Sequence, residues 1–344
     1  MRLWMIPLLV ACGSGAKDIG DTAGGDTAGG DTAESDTAGV DTSGESGESG
    51  DTSDSGVDTS ETGDTSETGE TGDTGAVDPR TECAEVAARI MTRTPWTGDD
   101  TCFDGANWGL GRVVDPSLAG TVATVTGTVL DFQTGDAVDG AVVDVRNGDD
   151  PTAAVDASAT ASSRGIFNVD LPLCQPLTVE TSTPPEWEQT IDTYLPHTMV
   201  APGDAPDWSS LALSTAQILP ALLGVTWASG TGVLAGAAQD CREGGLANVE
   251  VVLRDASCAA PSGTQMYYFV DSFPNADAKA TSEDGLFLAF NVPAGAWVLE
   301  AWGWDGAVPV LLARNPLVIV ADAVSITNLR LGTVDGVWVP DDCR

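Results

Sequence analysis

The sequence predicts an all-β protein with two β-sandwich modules and one or two short helices, preceded by a long disordered tether. Apolar and polar residues alternate over several short stretches bounded by turn residues, such as Val125 to Val129, which is typical of half-buried strands. The pattern returns about 109 residues later along the chain. Residues 13–78 contain almost no large apolar side chain, so this segment cannot bury a core.

Charge and composition exclude several functional classes. The 344-residue chain carries 52 acidic and 14 basic residues, a net charge of -38 that repels nucleic acid phosphates and anionic lipid. His197 is the one histidine, which removes most zinc hydrolases and most general-base chemistry. No common hydrolase or phosphate-loop motif occurs. We therefore expect a non-catalytic protein without metal or cofactor; a hydrolase of unrecognised type is the enzymatic alternative.

The amino terminus has the pattern of an export signal. An apolar run of eight residues, Leu3 to Val10, is too short to cross a bilayer, which needs about 20. The sequence Leu9-Val10-Ala11-Cys12 resembles the bacterial lipoprotein signal, in which the cysteine receives a lipid and becomes the first residue. This resemblance implies an exported envelope protein, held in the outer membrane or at the cell surface through Cys12. An ordinary secretory signal, or a start codon assigned too late, would explain the same pattern.

The next segment is an acidic repeat of Asp-Thr-Ala-Gly and related units. It has too few apolar groups to offset the entropy of ordering, so we expect a solvated spacer with an r.m.s. span of about 45 Å. O-linked sugar or loosely bound calcium are alternatives that lack a fixed ligand spacing. The predicted organisation is signal peptide 1–12, tether 13–78, pre-domain segment with a short helix 79–120, first module 121–213, helix and linker 214–230, and second module 231–344.

Six cysteines remain after Cys12, and an even number in an exported chain indicates disulfides. They are Cys83, Cys102, Cys174, Cys241, Cys258 and Cys343. The preferred pairing is Cys83 with Cys102 and Cys241 with Cys258, which leaves Cys174 and Cys343. The second pair is questionable, because a straight strand over 247–254 would hold its ends about 20–25 Å apart, whereas a disulfide needs Cα atoms within about 7 Å.

The two modules correspond residue by residue over several blocks. Strand alternation places Ala141, Val143 and Val145 on one face of a strand, and Asn147-Gly148 after it predicts a hairpin turn. Gly127 corresponds to Gly236, and the stretch ending at Phe167 corresponds to the stretch ending at Phe287. A repeat of this length indicates a duplicated domain rather than a solenoid unit.

These blocks resemble the carboxypeptidase regulatory-like domain, a transthyretin-like β-sandwich. The matching blocks are Val125–Val129 with Val233–Ala237, Gly140–Val145 with Asn248–Leu253, and Gly165–Pro172 with Gly285–Pro293. The resemblance implies two transthyretin-like or Ig-like sandwiches. It also implies a non-catalytic surface, adhesion or carbohydrate-associated scaffold, because the matching blocks contain no peptidase residues.

Two short helices are expected outside the strands. One spans Ser214 to Gly224, with Ser214 as its cap and Gly224 at its end. Its apolar residues, predicted to pack against a sandwich, are Ile218, Leu219, Leu222 and Leu223. The other lies within residues 83–93.

A pair of tryptophans is the candidate ligand site. Trp302 and Trp304 share one face of a strand whose other face carries Leu299 and Ala301. Exposed, they would form a flat apolar platform for sugar rings; the alternative is that another domain or a helix covers them. His197 is interpreted as a surface residue in a polar loop. The functional hypotheses are thus a scaffold that meets another envelope protein and a glycan-binding module.

Overall fold

The computed structural model describes residues 82–103, 113–132, 134–184, 190–271, 273–334 and 338–344. The predicted signal peptide 1–12 with Cys12 and the predicted tether 13–78 lie outside the described residues. The described part is mostly β with two short α-helices, which confirms the predicted fold class. Neither helix is long and apolar enough to cross a membrane.

The first eight strands follow one another between residues 122 and 212. They are β1 (Val122–Asp131), β2 (Val142–Asn147), β3 (Ala157–Thr160), β4 (Ile166–Pro172), β5 (Leu177–Ser182), β6 (Thr190–Ile191), β7 (Thr193–Thr198) and β8 (Asp207–Ala212). Helix α1 (Ala84–Arg89) precedes them and helix α2 (Leu213–Leu223) follows them.

The remaining eight strands form the second half of the fold. They are β9 (Thr231–Gln239), β10 (Glu250–Arg254), β11 (Gln265–Val270), β12 (Phe273–Asn275), β13 (Leu286–Pro293), β14 (Gly295–Trp304), β15 (Pro309–Ile319) and β16 (Val324–Arg330). A 3₁₀ turn, Asp341–Cys343, lies near the carboxyl terminus.

Both halves are sandwiches with the same central strand order, but their edge strands differ, since β3 pairs with β2 whereas β11 pairs with β13. In the first, the order β4-β1-β8 with β6 at the edge faces β7-β5-β2-β3. In the second, β12-β11-β13-β9-β16 faces β10-β14-β15. In each half the last strand runs parallel to the first, β8 beside β1 and β16 beside β9. The shared order is what a duplicated domain predicts.

A glycine-phenylalanine pair at equivalent positions supports the duplication. Gly127 lies opposite Phe167 across β1 and β4, and Gly236 lies opposite Phe287 across β9 and β13. A Cβ atom at either glycine would overlap the phenylalanine ring and a backbone carbonyl. The close approach therefore requires glycine at both positions, as the sequence correspondence predicts.

One sheet continues through both sandwiches. Strand β16 pairs in parallel with β9 of its own module, and Val324 and Ser325 also pair in parallel with Thr193 and Tyr194 of β7. The result is a nine-stranded sheet in the order β12-β11-β13-β9-β16-β7-β5-β2-β3. The predicted boundary between the two modules stays a prediction, because both modules contribute strands to this one hydrogen-bonded sheet.

Each sandwich encloses an apolar core. Ala141, Val143 and Val145 are buried in the first, as strand alternation predicts. The Phe167 ring stacks on Trp208 there with 4.6 Å between centroids. In the second core the hydroxyl of Tyr268 accepts the Val251 N–H at 2.9 Å. Burial raises the pKa of Tyr268, so this phenol stays neutral.

Both helices lie where the sequence predicts them, but not all of their predicted contacts form. Gly224 ends α2 in the left-handed conformation, as predicted, but Ala212 and not Ser214 occupies the N-cap, without a side-chain hydrogen bond. The prediction that four apolar residues of α2 pack inward is half wrong. Leu219 and Leu223 contact the core, whereas Ile218 is 53% and Leu222 67% exposed. The helix has apolar residues on two faces and can direct only one toward the sheet.

Candidate functional site

Trp302 does not form a surface platform. Its side chain is 3% exposed and packs in a small cluster with Cys83, Val86, Ile90 and Leu311. Its indole N–H donates to Glu300 Oε2 at 2.9 Å. The platform prediction is wrong for Trp302, because α1 lies over this face of β14 and its Val86 packs against the indole.

Trp304, the second residue of the predicted platform, is half-buried. The guanidinium of Arg93 lies 4.6 Å from the centroid of the Trp304 ring. The backbone carbonyl of Trp304 accepts the Trp96 N–H at 3.1 Å. One face of the ring is therefore already occupied by a cation. The structure does not bring Trp302 and Trp304 together as a binding surface.

The same face of the second module carries a buried charge cluster. Arg254 Nε lies 2.7 Å from Glu300 Oε1, and each side chain is 1% exposed. Glu82, just before α1, contacts both Arg254 and Arg314. Two cations and two carboxylates thus balance within the cluster. Glu82 anchors the start of the described chain to the second module, because Arg254 and Arg314 are buried and would be costly to leave without carboxylates.

The disulfides differ from the preferred pairing. They join Cys83 to Cys258, Cys102 to Cys241 and Cys174 to Cys343, with Cα–Cα distances of 5.7, 5.5 and 5.4 Å. The predicted Cys83–Cys102 and Cys241–Cys258 pairs are wrong, and Cys174 and Cys343, which that pairing left over, are bonded to each other. Residues 82–103 do not close on themselves but lie along the second module, so each of their cysteines bonds to it.

Backbone contacts reinforce this placement of residues 82–103. Thr97 pairs with Ala247 as an isolated antiparallel bridge. The N–H of Asp99 donates to Asp240 Oδ2 at 2.8 Å, and the N–H of Met91 donates to Glu250 Oε2 at 2.8 Å. The segment is therefore fastened to the second module, although the first module follows it in sequence.

The carboxyl terminus, in turn, is attached to the first module. Cys343 follows the second module in sequence but bonds to Cys174, which lies between β4 and β5 of the first. The backbone carbonyl of Cys343 accepts the N–H of Asp115, which lies just before β1, at 2.8 Å. Each end of the described chain is thus fixed to the module that is farther from it in sequence.

His197 lies at the junction of the modules. Its Nε2 is 2.6 Å from the carbonyl of Pro316 in β15, and its Nδ1 is 3.1 Å from Asp149 Oδ1. The side chain is 6% exposed, so the prediction of a surface residue is wrong. Asp149 belongs to the connection between β2 and β3, which is longer than the tight hairpin that Asn147-Gly148 predicts. The imidazole contacts both modules.

An apolar pocket opens beneath α2, and nothing in the sequence predicts it. Its cavity volume is about 40 Å³. Residues of α2, including Ala216 and Leu219, form one wall; the outer face of the second module's sheet, including Ala235, Leu288 and Phe290, forms the other. None of the described residues that line it carries a charge.

The described residues contain no group of three or more His, Cys, Asp or Glu that could hold a metal ion. No protein-family model matches the chain. No curated protein matches it either.

Several solved bacterial structures show a weak likeness. The Bacillus anthracis TIE protein is 14% identical over 61% of this chain, with a TM-score of 0.20; the matched region spans 34% of that protein. Shaft pilin SpaA from Lactobacillus rhamnosus GG is 13% identical over 61% of this chain and 98% of the pilin, with a TM-score of 0.21. A streptococcal ancillary pilin is 10% identical over 63% of each chain, also with a TM-score of 0.21. Scores at this level assign neither a family nor a function.

Proposed function

We propose that this chain is a non-catalytic cell-envelope lipoprotein whose two modules form a structural or protein-interaction scaffold displayed on the acidic tether. The observation that carries the proposal is the crossed attachment of the two chain ends. Three disulfides, with sequence separations of 175, 139 and 169, fix residues 82–103 to the second module and Cys343 to the first. Such an arrangement suits a body that must keep its shape at the end of a long spacer.

The crossed disulfides leave two short covalent routes through the unit. One route crosses from Cys83 to Cys258 and then follows the chain through the last part of the second module to Cys343. The other follows the chain from Cys83 to Cys174 in the first module and then crosses to Cys343. Tension applied between the tether and the carboxyl terminus is shared by both routes, so loss of either disulfide leaves the other short route in place.

The envelope location and the anchor are part of the same proposal. Disulfides form and persist in exported proteins, which supports a location outside the cytoplasm. The Leu9-Val10-Ala11-Cys12 pattern supports a lipid on Cys12, and thus attachment at the outer membrane or cell surface. The sequence blocks that the modules share, such as Gly165–Pro172 with Gly285–Pro293, support their assignment to the carboxypeptidase regulatory-like class.

Single-molecule pulling between residue 82 and the carboxyl terminus tests the scaffold. The oxidised protein is expected to gain a contour length of roughly 300 Å, since about 85 residues extend at about 3.5 Å each. Complete reduction should release roughly 900 Å from about 260 residues. The matched variant Cys83→Ala with Cys258→Ala should extend by only about 20 Å more than wild type, because the route through Cys174 remains. Equal gains for wild type with and without reductant would contradict the proposal.

Metabolic labelling of the full chain in a diderm bacterium tests the anchor. With an alkyne-bearing fatty acid we expect incorporation into wild type, recovery in the membrane fraction, and loss of both in Cys12→Ser. A screen of the same protein with generic esterase, peptidase and glycosidase substrates should show no turnover. An unlabelled, soluble wild type would refute the lipid anchor, and turnover of any substrate would refute the scaffold role.

A further inference from the structure

The backbone around His197, the one histidine of the chain, is bent in a way that aims its side chain at the second module. In the pairing of β7 with β5, Pro196 and His197 together lie opposite the single residue Thr178, which makes a β-bulge. His197 has a φ of 59°, in the left-handed region that residues other than glycine seldom adopt. A bulge redirects a side chain from its place in the strand alternation, and here the imidazole reaches the Pro316 carbonyl of β15.

The two ring nitrogens of His197 face two acceptors. Nε2 is 2.6 Å from the carbonyl of Pro316, and because a carbonyl can only accept, Nε2 carries a proton. Nδ1 is 3.1 Å from Asp149 Oδ1, and both atoms are buried without any other hydrogen-bond partner among the described residues. A neutral imidazole has a single N–H and would turn the lone pair of Nδ1 toward the carboxylate. The arrangement therefore fits the imidazolium form, in which both nitrogens donate.

The charged groups near His197 on the sheet of the first module have partners of their own. Arg146 of β2 pairs with Glu180 of β5 at 2.7 Å. Tyr194 lies on the same strand as His197, and burial raises its pKa, so the phenol stays neutral. Asp192 lies just before β7, at the end of the strand away from His197. None of these groups competes with Asp149 for the imidazole.

The charged groups on the other two segments around the ring are also engaged. In the β2–β3 connection, Asp150 accepts from the hydroxyl and the N–H of the threonine two residues further on, and these hydrogen bonds lower its pKa. Asp156, in the same connection, accepts the last N–H of β2 at 2.7 Å. Arg314 of β15 is bonded to Glu82. The carboxylate of Asp149 is thus the one that faces the imidazole.

We propose that protonated His197 is a pH-dependent clamp that ties β7 and the β2–β3 connection of the first module to β15 of the second. Loss of the proton leaves one N–H for two acceptors, so one of the two contacts is lost and this corner of the junction loosens. Histidine side chains ordinarily change charge between about pH 5 and 8. The Asp149 side chain is 37% exposed, so protons from the surroundings can reach the pair. The clamp belongs to the folded unit and does not depend on the proposed scaffold role.

The direction of the pH effect follows from the form that the fold favours. A neighbouring carboxylate favours the imidazolium in the folded protein, and the unfolded chain has no such fixed partner. The folded state therefore binds the proton more tightly than the unfolded state does. The stability that the clamp contributes is fully present at the acidic end of the range and is lost as the pH rises.

Denaturant unfolding of purified full-length Cys12→Ser protein at about pH 5 and about pH 8 tests the clamp. Relative to the change in an added Asp149→Asn variant, we expect the unfolding equilibrium constant to be roughly tenfold larger at the higher pH. Asparagine keeps the shape of the side chain, and its amide donates to the neutral Nδ1, so this variant needs no added proton. His197→Asn, which tolerates the left-handed backbone, should lose the same response. A parent that responds to pH like Asp149→Asn would overturn the proposal.

Asp277→Asn is the control for the loss of one carboxylate. Its side chain is exposed in the connection between β12 and β13 of the second module. This variant should keep the full pH response of the parent. If Asp277→Asn loses the response as Asp149→Asn does, the effect comes from the overall charge and the clamp is excluded.

Hydrogen exchange of the parent protein locates the clamp without any variant at His197 or Asp149. After correction for the intrinsic pH dependence of exchange, residues 148–156 and 309–319 should lose protection at about pH 8 relative to about pH 5, whereas β9 should keep it. A loss of protection spread evenly over the folded unit, or none in these two segments, would contradict a local clamp.

Discussion

Replacing Cys174 and Cys343 together with alanine is expected to lower the free energy of unfolding by about 5 kcal/mol. In the chain-entropy account, a disulfide stabilises by restricting the freedom of the unfolded chain, and the effect grows with the closed loop. The sequence separation of these cysteines is 169, and neither other disulfide provides an appreciably shorter route between them. Both side chains are buried, so alanine introduces no polar group into the core.

The Cys83–Cys258 pair is the matched comparison, and its expected effect is smaller although its sequence separation is larger, at 175. With Cys102–Cys241 in place, its loop shrinks to about 36 residues, which corresponds to about 4 kcal/mol. Denaturant unfolding without reductant, followed by tryptophan fluorescence, measures both double variants. A larger loss of unfolding free energy for the Cys83 and Cys258 variant than for the Cys174 and Cys343 variant would contradict the nesting of the Cys102–Cys241 loop inside the Cys83–Cys258 loop.

Arg254→Met is expected to destabilise the fold by about 3–5 kcal/mol. The substitution leaves the Glu300 carboxylate buried beside α1, where the Trp302 indole N–H donates to it and the partnering cation is gone. An isolated buried charge loses its hydration without an equivalent interaction in the folded state. The change in denaturation midpoint, at unchanged slope, measures the effect.

Arg242→Met is the control for a lost ion pair at the surface. The Arg242–Asp99 pair is largely exposed on the arginine side, and we expect a loss of about 0–1 kcal/mol. Adding Glu300→Gln to Arg254→Met should restore most of the stability, because glutamine keeps an acceptor for Trp302 and removes the charge. If Arg254→Met costs no more than Arg242→Met, the cluster is not buried as described.

The local architecture follows from residue patterns. Alternation predicts the buried row Ala141, Val143 and Val145, because side chains on a strand point to opposite faces in turn. The glycines at 127 and 236 mark equivalent close approaches of a phenylalanine, so the duplication is visible in both sequence and register. These features depend on neighbours along one strand or on one adjacent strand.

The candidate site was predicted less well, because it depends on what covers a strand from outside. Alternation correctly assigns Leu299 and Ala301 to the core, but it assigns Glu300 and Trp302 to solvent. They are buried because α1 crosses this face, and α1 belongs to a segment that precedes the whole first module in the chain. The signal available in the sequence for this buried ion pair was an arginine, Arg254, on one strand and a glutamate, Glu300, on the neighbouring strand.

The sequence by itself determined the strands of the repeated blocks, the inward face of β2, the duplication and the positions of both helices, because these follow from short-range alternation and turn chemistry. Tertiary structure alone decided which cysteines pair, which strand faces are covered, that one sheet joins the modules, and that His197 lies between them. Those features arise from contacts between segments far apart in sequence. Many such contacts satisfy the same local pattern, and only the packing of the whole chain selects among them.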